Sequence, residues 1–305
     1  MPEARPSSRC LSFYSALHYE WVAIVVVGLL LPAAMNAWIP PHVRPVDLRD
    51  PAVQYPYKRP TVTAAAALLV AWLVPPLSWL VMASLRDWMA QGDTASGGGW
   101  ERSGSVAPGA EDSTLPQDRQ AWREFCAGLA EANGLTALLT IWVKCAAGRP
   151  RPHFAAVCKA YQDEVLRMGC TGDPMLVHEA RKAFPSGHAS ISAAAATYLT
   201  CWIDHVCPQW FPHSPRQMRW IRRLGALLPM TYAVAMAMTR VRDYHHDYVD
   251  VLAGLVLGAY VGHLVYRVRY GPHLRMNAAA CGVSEEAMSA LDKHRHTPPP
   301  PGAEV

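Results

Sequence analysis

Three short segments of the chain carry histidines, cations and carboxylates at spacings that could do chemistry on an anion. They read KCAAGRPRPHF (144–154), PSGH (185–188) and TRVRDYHHDYVD (239–250). His246 lies four residues before Asp250, so on a helix the two side chains would share one face. A carboxylate bonded to one imidazole nitrogen leaves the other as a nucleophilic lone pair and stabilises the cation that forms on attack. His245 is five residues from Asp250 and would point elsewhere, so the spacing predicts His246 as the nucleophile.

Fixed positive charge accompanies these histidines. A phosphate monoester carries nearly two negative charges at neutral pH, and the arginine fork and lysine ammonium suit its oxygens. Ser186 and Gly187 open a predicted helix, whose free N–H groups and dipole favour an anion, and His188 points into the same place. The residues therefore predict a phosphate site that includes three cations, Lys144, Arg151 and Arg240.

Each segment has a simpler interpretation when it is taken alone. PSGH is also a turn followed by a capped helix. Lys144 and Arg151 could be interfacial side chains that extend toward lipid headgroups. HHDYVD could be a hydrated loop, or could bind zinc through its histidines together with Asp247 and Asp250.

The composition indicates an integral membrane protein. Hydrophobic residues make up 51% of the 305 residues and charged residues 17%, below the ~25% of soluble domains. About 20 helical residues cross the ~30 Å hydrocarbon layer. Six apolar stretches come near this length, so we predict an all-α bundle of six transmembrane helices, at 21–38, 61–85, 125–147, 188–206, 224–239 and 249–268.

Arginines in the loops predict the orientation of this bundle. They cluster between the fourth and fifth spans and again just after the sixth, which places both segments in the cytoplasm. The loops after spans one, three and five then share the opposite, non-cytoplasmic face, and the predicted site lies there. The predicted organisation is a cytoplasmic tail (1–20), a six-span domain (21–270) with a flexible loop (91–118), and a disordered cytoplasmic tail (271–305). The net charge of +4 includes no basic run typical of nucleic-acid binding, and neither organelle nor oligomeric state follows from the sequence.

Two further pairs of residues leave alternatives open. Cys158 and Cys170 share one non-cytoplasmic loop, where they form either a disulfide or two free thiols. Glu131 and His263 are ionisable groups at membrane depth, a position that often marks function. Structural hydrogen bonding is the interpretation we favour for them.

Together the segments match three known motifs. Lys144 to Pro152 fits K-x6-R-P, 185–188 fits P-S-G-H, and 239–250 fits S-R-x5-H-x3-D with Thr239 in place of serine. In this order, and on one membrane face, they resemble the type 2 phosphatidic acid phosphatase superfamily, in particular its six-span lipid phosphate phosphatases. The resemblance extends over most of 21–270.

The resemblance implies that His246 attacks phosphorus to give a phosphohistidine. It implies that His188 protonates the leaving alkoxide and then activates water, while Asp250 orients His246. The phosphate would be bound by Lys144, Arg151, Ser186, Gly187 and Arg240, with no metal or other cofactor. The implied partners are a lipid phosphate substrate and the bilayer; Asp247, where this branch often has a second histidine, is a departure.

Other functions remain open at this point. Within the same superfamily, a polyprenyl diphosphate phosphatase and a lipid phosphotransferase would use the same residues. From another class, a transporter or proton channel could use Glu131, His263 and the His245–His246 pair. Transporters tend to show repeated halves or broken paired spans, and the sequence has neither.

Overall fold

A computed structural model of the chain describes residues 26–95, 114–162, 168–210 and 216–280. The predicted tail 1–20, most of the predicted loop 91–118 and the end of the predicted tail 271–305 lie outside these ranges. The described residues begin with a π-helical turn, Val26–Leu30, and include a 3-10 turn, Pro51–Val53. The α-helices are α1 (Leu31–Trp38), α2 (Ala64–Ala95), α3 (Thr114–Ala147), α4 (Phe154–Cys158), α5 (Pro174–Ala180), α6 (Gly187–Trp210), α7 (Arg216–Arg242) and α8 (Tyr248–Ala280).

The helical class predicted from the sequence is confirmed, with one small addition. Strands β1 (Ala160–Gln162) and β2 (Met168–Cys170) form an antiparallel pair in which Ala160 faces Cys170. A disulfide joins Cys158 to Cys170 beside this pair. It resolves the alternative left open by the sequence and closes the loop that follows the first motif.

Four helical segments are long and apolar enough to cross a membrane: Ala64–Met89, Asp118–Ala147, Leu224–Arg242 and Tyr248–Gly271. Three of the six predicted spans lie wholly within these segments, and a fourth, 61–85, does so from residue 64 onward. The predicted span 21–38 begins outside the described residues. The predicted span 188–206 lies in α6, which is not among the four, so the count of six stays a prediction.

Helix α6 lies at the centre of the bundle, and its position explains its lower apolarity. It packs against α2, α3 and α7, and small residues such as Ala189, Ser190 and Ala193 are fully buried. A helix shielded by its neighbours needs close packing more than an apolar surface. Leucines and valines on α2, α7 and α8, by contrast, are widely exposed, as side chains facing lipid would be.

A row of glycines brings α8 onto the backbone of α6. An added Cβ at Gly254 would lie 2.6 Å from the Ser186 carbonyl oxygen, and one at Gly258 would overlap the Ser190 carbonyl. The two helices therefore meet without intervening side chains. At the end of this contact the Ser186 N–H donates to the Asp250 carbonyl at 2.9 Å, which joins the second motif to the third.

The chain divides into two compact units, Met1–Val265 and Tyr266–Val305, with the boundary inside α8. All the predicted site residues belong to the first unit. In the second unit α8 continues to Ala280, past the predicted end of the last span, and the rings of Tyr266 and Tyr270 stack at 5.2 Å.

Replacing Gly258 by alanine tests the contact between α6 and α8. The added methyl has no room against Ser190, and overpacking costs about 1–3 kcal/mol, so we expect Gly258→Ala to unfold at a lower temperature in detergent. Gly225→Ala is the matched control, because nothing lies within 4 Å of a Cβ there. Equal unfolding temperatures for the two variants would contradict this packing.

Candidate active site

The three motifs meet at one end of the bundle. Lys144 lies in the last turn of α3, Gly187 and His188 open α6, Arg240 lies near the end of α7, and Asp250 lies in the first turn of α8. Arg151 lies in the segment after α3, Ser186 directly precedes α6, and His246 lies in the turn between α7 and α8. The positive charge of Lys144, Arg151 and Arg240 acts on the His246 imidazole. The structure thus brings all eight predicted site residues together.

A tight turn presents His246. The main-chain N–H groups of His245 and His246 both donate to the Arg240 carbonyl, at 3.0 and 3.3 Å. Tyr244, just before them, has a left-handed φ of 60°, which is uncommon for a residue with a side chain. Its ring is held by Tyr55, with centroids 4.9 Å apart, and by the Lys58 ammonium, 4.2 Å from the ring centre.

Asp250 faces His246, as predicted, although His246 lies in the turn before α8 and not on the helix that the i, i+4 argument assumed. The two side chains are farther apart than a hydrogen bond. The Nδ1–Oδ2 distance is 3.6 Å, and His246 Nδ1 has no hydrogen-bond partner. The Asp250 carboxylate is itself fixed, since Oδ2 accepts from the Asp247 N–H at 3.0 Å and Oδ1 from Arg149 at 2.7 Å. With Nδ1 toward the carboxylate, Nε2 is the nitrogen left for attack.

Arg149 is a site residue that the sequence reasoning missed. Its Nη1 binds Asp250 and its Nη2 binds Asp247 at 3.1 Å, so one guanidinium joins both carboxylates. The sequence signal was present in GRPRP, where two arginines flank one proline. The motif match singled out only Arg151.

The three predicted phosphate-binding cations are held by neutral acceptors more than by carboxylates. Lys144 Nζ donates to the Lys182 carbonyl at 2.6 Å, and Arg240 Nη1 donates to the Val62 carbonyl at 3.0 Å. Arg151 Nη1 lies 3.2 Å from His245 Nδ1. The nearest carboxylate oxygens to the two arginines are 3.9 Å away, on Glu179, and 4.0 Å away, on Asp243. Much of the positive charge is therefore not neutralised within the protein.

Several polar atoms of the site are buried without a hydrogen-bond partner in the protein. Among the described residues ten side-chain atoms have this property, and five of them belong to predicted site residues: Arg151 Nε, Ser186 Oγ, His188 Nε2, Arg240 Nε and His246 Nδ1. Leaving a buried donor unsatisfied costs about 1–3 kcal/mol. Such a concentration beside excess positive charge suits an anion with several oxygens.

Three histidines of this region, His246, His245 and His153, are held neutral. Burial lowers the pKa of His246 well below its ordinary value, and the charges of Lys144, Arg151 and Arg240 lower it further. Burial, with Arg240 and Arg151, lowers the pKa of His245 to about 3, and burial lowers that of His153 to about 4. A neutral His246 keeps the lone pair that a nucleophile needs.

His245 differs from His246 in its hydrogen bonds. Because an arginine N–H only donates, His245 Nδ1 must accept from Arg151, and Nε2–H then donates to the Lys58 carbonyl at 3.0 Å. Both nitrogens are thus occupied. Within the described ranges, no three histidine, cysteine, aspartate or glutamate side chains gather as metal donors.

A cavity of about 530 Å³ reaches His246 from the side of Asp250. Arg149, Asp247 and Tyr55 also line it, but Lys144, Arg151 and Arg240 do not. The cavity therefore reaches His246 and Asp250 beside Arg149, and the three predicted phosphate-binding cations are not part of its wall.

The other ionisable residues flagged at membrane depth lie away from these motifs in the sequence. His263 Nδ1 in α8 lies 3.6 Å from the Cys201 sulfur in α6, a contact that fits the structural interpretation. Glu131 lies in α3 and is half-buried.

Comparison with known proteins agrees with the motif resemblance. Residues 125–272 match the PAP2 superfamily. The chain is 34% identical over 152 residues to diacylglycerol pyrophosphate phosphatase 1 of Saccharomyces cerevisiae, covering 48% of this chain and 51% of that protein. It is 32% identical over 143 residues to a PA-phosphatase related-family protein of Dictyostelium discoideum, covering 47% and 48%. It is 27% identical over 253 residues to phospholipid phosphatase 2 of Mus musculus, covering 81% and 82%.

The chain thus spans about half the length of the first two of these relatives, and most of the third. No solved structure matches the chain. The matched range 125–272 contains every residue of the three motifs. It also contains most of the helices that carry them: α3 from residue 125 onward, α6, α7 and the spanning part of α8. Residues 125–272 are therefore a domain of the PAP2 superfamily.

Proposed function

We propose that the chain is an integral membrane lipid phosphate phosphatase that hydrolyses phosphatidate-like monoesters or diphosphates and releases inorganic phosphate. The observation that carries this proposal is the set of buried, unpaired polar atoms and unneutralised cations around a neutral His246. The printed names of the relatives, which include a diacylglycerol pyrophosphate phosphatase and a phospholipid phosphatase, support the lipid phosphate class.

Six spans with the site at the non-cytoplasmic face complete the proposal. The four apolar helices and the loop arginines support it. A site at the end of the bundle lets a lipid present its headgroup while its tails remain in the bilayer.

The proposed reaction has two steps. Nε2 of His246 attacks phosphorus, an N–P bond forms and the ester P–O bond breaks. The negative charge of the bound phosphate offsets the neighbouring cations, so His188 binds a proton in the substrate complex and gives it to the leaving alkoxide. Water then attacks phosphorus, His188 takes a proton from it, and the N–P bond breaks to release phosphate. Lys144, Arg151 and Arg240, with the N–H groups at the start of α6, stabilise the charge on the phosphoryl oxygens.

Asp250 stabilises the imidazolium that forms when His246 attacks. Its carboxylate, held by Arg149, needs to approach Nδ1 by only a few tenths of an ångström from 3.6 Å to accept a hydrogen bond. Three cationic side chains supply the charge that two-metal phosphatases take from their ions, so we propose that no metal is required.

The direct test is phosphate release from phosphatidate in mixed micelles by the purified chain. We expect activity in the presence of EDTA and inhibition by vanadate, which mimics five-coordinate phosphorus. His246→Ala, purified in the same way, serves as the inactive control. Activity that is lost in EDTA and restored by magnesium or zinc would overturn the metal-independent mechanism.

Acid-quench labelling with 32P-substrate separates the roles of the two histidines. His246→Ala should give no covalent label. His188→Ala loses proton transfer, which is worth about 10²–10⁴-fold, yet with a nitrophenyl phosphate, whose leaving group needs no proton, it should accumulate an acid-labile phosphohistidine. The reverse pattern would exchange the two roles, and no label on any variant would indicate direct attack by water.

Gly187 offers a test of phosphate binding that is separate from packing. An added Cβ would lie 3.8 Å from Lys144 Cε and 3.9 Å from Thr140 Cγ2, ordinary contact distances that the fold tolerates. The methyl would instead occupy space beside Lys144 where a phosphate approaches. We therefore expect Gly187→Ala to keep its unfolding temperature while the vanadate inhibition constant rises about tenfold, the loss of one charge-assisted hydrogen bond.

Gly254→Ala is the matched control for this experiment, because its Cβ would crowd the Ser186 carbonyl. Its unfolding temperature should fall, whereas that of Gly187→Ala should not. An unchanged inhibition constant in Gly187→Ala would place the phosphate elsewhere.

A further inference from the structure

A segment outside the three motifs contacts three side chains of the site, those of Arg240, His245 and His188. We call residues Lys58–Val62, between α1 and α2, the strap. Its Val62 carbonyl accepts from Arg240 Nη1 at 3.0 Å, and its Lys58 carbonyl accepts from His245 Nε2 at 3.0 Å. The Val62 main chain also interacts with the His188 imidazole. The strap therefore supplies main-chain acceptors to groups from two motifs.

The Lys58 carbonyl acts on Arg151 through His245. Holding the proton on Nε2 of His245 leaves Nδ1 as an acceptor, and that nitrogen lies 3.2 Å from Arg151 Nη1. Burial together with Arg240 and Arg151 keeps His245 neutral, with a pKa of about 3. The two carbonyls of the strap thus orient both phosphate-binding arginines, Arg240 directly and Arg151 through one imidazole.

The side chain and main chain of Thr61 also fasten the strap, by binding Asp243. Thr61 donates twice to Asp243, from its N–H to Oδ2 at 2.6 Å and from its hydroxyl to Oδ1 at 2.8 Å. The same hydroxyl accepts from Arg242 Nη2 at 2.9 Å. Asp243 is only 4% exposed. Although burial alone raises its pKa, the two Thr61 groups and the charges of Arg240 and Arg242 bring the pKa below its ordinary value, so the carboxylate is ionised at neutral pH.

The position of Asp243 in the chain connects the strap directly to the candidate site. It lies three residues after Arg240 and three before His246, in the turn that presents the nucleophile. Thr61 is 182 residues away in the sequence. The bond therefore ties the strap to the same turn whose arginine the strap orients.

We propose that Thr61 and Asp243 are positioning residues that hold the strap so that its carbonyls aim Arg151 and Arg240 at the substrate phosphate. Neither residue touches the substrate. The proposal rests on the phosphatase function proposed above, because the oriented arginines matter only if a phosphate binds between them.

Three substitutions test the pair in the full chain. Thr61→Val removes the hydroxyl and keeps the shape, Thr61→Ser keeps the hydroxyl, and Asp243→Asn removes the charge and keeps one acceptor oxygen. Thr63→Val is the matched control, because the Thr63 hydroxyl accepts from the Ala66 N–H at the start of α2 instead of binding Asp243. Each variant is measured for its unfolding temperature, for KM and kcat on phosphatidate, and for inhibition by vanadate and by inorganic phosphate.

We expect Asp243→Asn to raise the inhibition constants and KM by about tenfold, the scale of one hydrogen bond to a charged group. Thr61→Val should raise the inhibition constants and KM several-fold, whereas Thr61→Ser, which keeps the hydroxyl, should have wild-type values. Thr63→Val should alter the unfolding temperature without altering the inhibition constants. If Asp243→Asn does not fold, the comparison of Thr61→Val with Thr61→Ser still tests whether the strap positions the arginines.

Two results would overturn the proposal while leaving the phosphatase function intact. In the first, the variants unfold at lower temperatures and a smaller fraction of the protein forms phosphoenzyme, but the inhibition constants stay unchanged. The pair would then have only a structural role. Inhibition constants that fall would mean that the strap carbonyls compete with phosphate for the arginines. A wild type that neither releases phosphate nor responds to vanadate would remove the proposed function and this inference with it.

Discussion

Mutual repulsion among three cations is the constraint on which the arrangement of the site depends. Lys144, Arg151 and Arg240 all act on one buried imidazole, and no carboxylate oxygen lies within 3.5 Å of either arginine in this set. Main-chain carbonyls and a neutral histidine hold these side chains instead. Carbonyl dipoles orient a cation without cancelling its charge, so the charge remains available to an anion.

The positive charge of these side chains also influences the protonation state of the histidines. Burial disfavours the charged imidazole, and the neighbouring cations disfavour it further, so His246 and His245 both stay neutral. For His246 this preserves the lone pair, and for His245 it preserves the acceptor that Arg151 uses. Two adjacent histidines thus take different roles because their other partners differ: the Asp250 carboxylate for one and the strap for the other.

Close packing around α6 makes this concentration of charge possible. The glycines of α8 and the buried alanines and serines of α6 let the helix backbones meet, so Ser186 bonds directly to the Asp250 main chain. Fully buried Lys182 extends the framework to α1, since its Nζ donates to Asn36 and Glu179 while its carbonyl accepts from Lys144. The cations are held in place by a rigid scaffold even though they repel one another.

The sequence by itself determined the helical class, the three motif segments and the facing of His246 and Asp250. Those features follow from local periodicity, composition and an i, i+4 spacing, and four of the predicted spans lie in long apolar helices. The sequence also predicted a span at 188–206, and that prediction stays open because the central helix α6 is less apolar than the other four and is shielded by its neighbours.

Only the tertiary structure decided which groups hold the site together. The motif in GRPRP selected Arg151 alone, and only the fold shows that the Arg149 guanidinium binds Asp250 while that of Arg151 lies against His245. The strap carries no motif, since its Val62 and Lys58 act through carbonyls that every residue possesses. The sequence specifies side chains, and a main-chain acceptor acquires a role only when folding places it against a cation about 180 residues away.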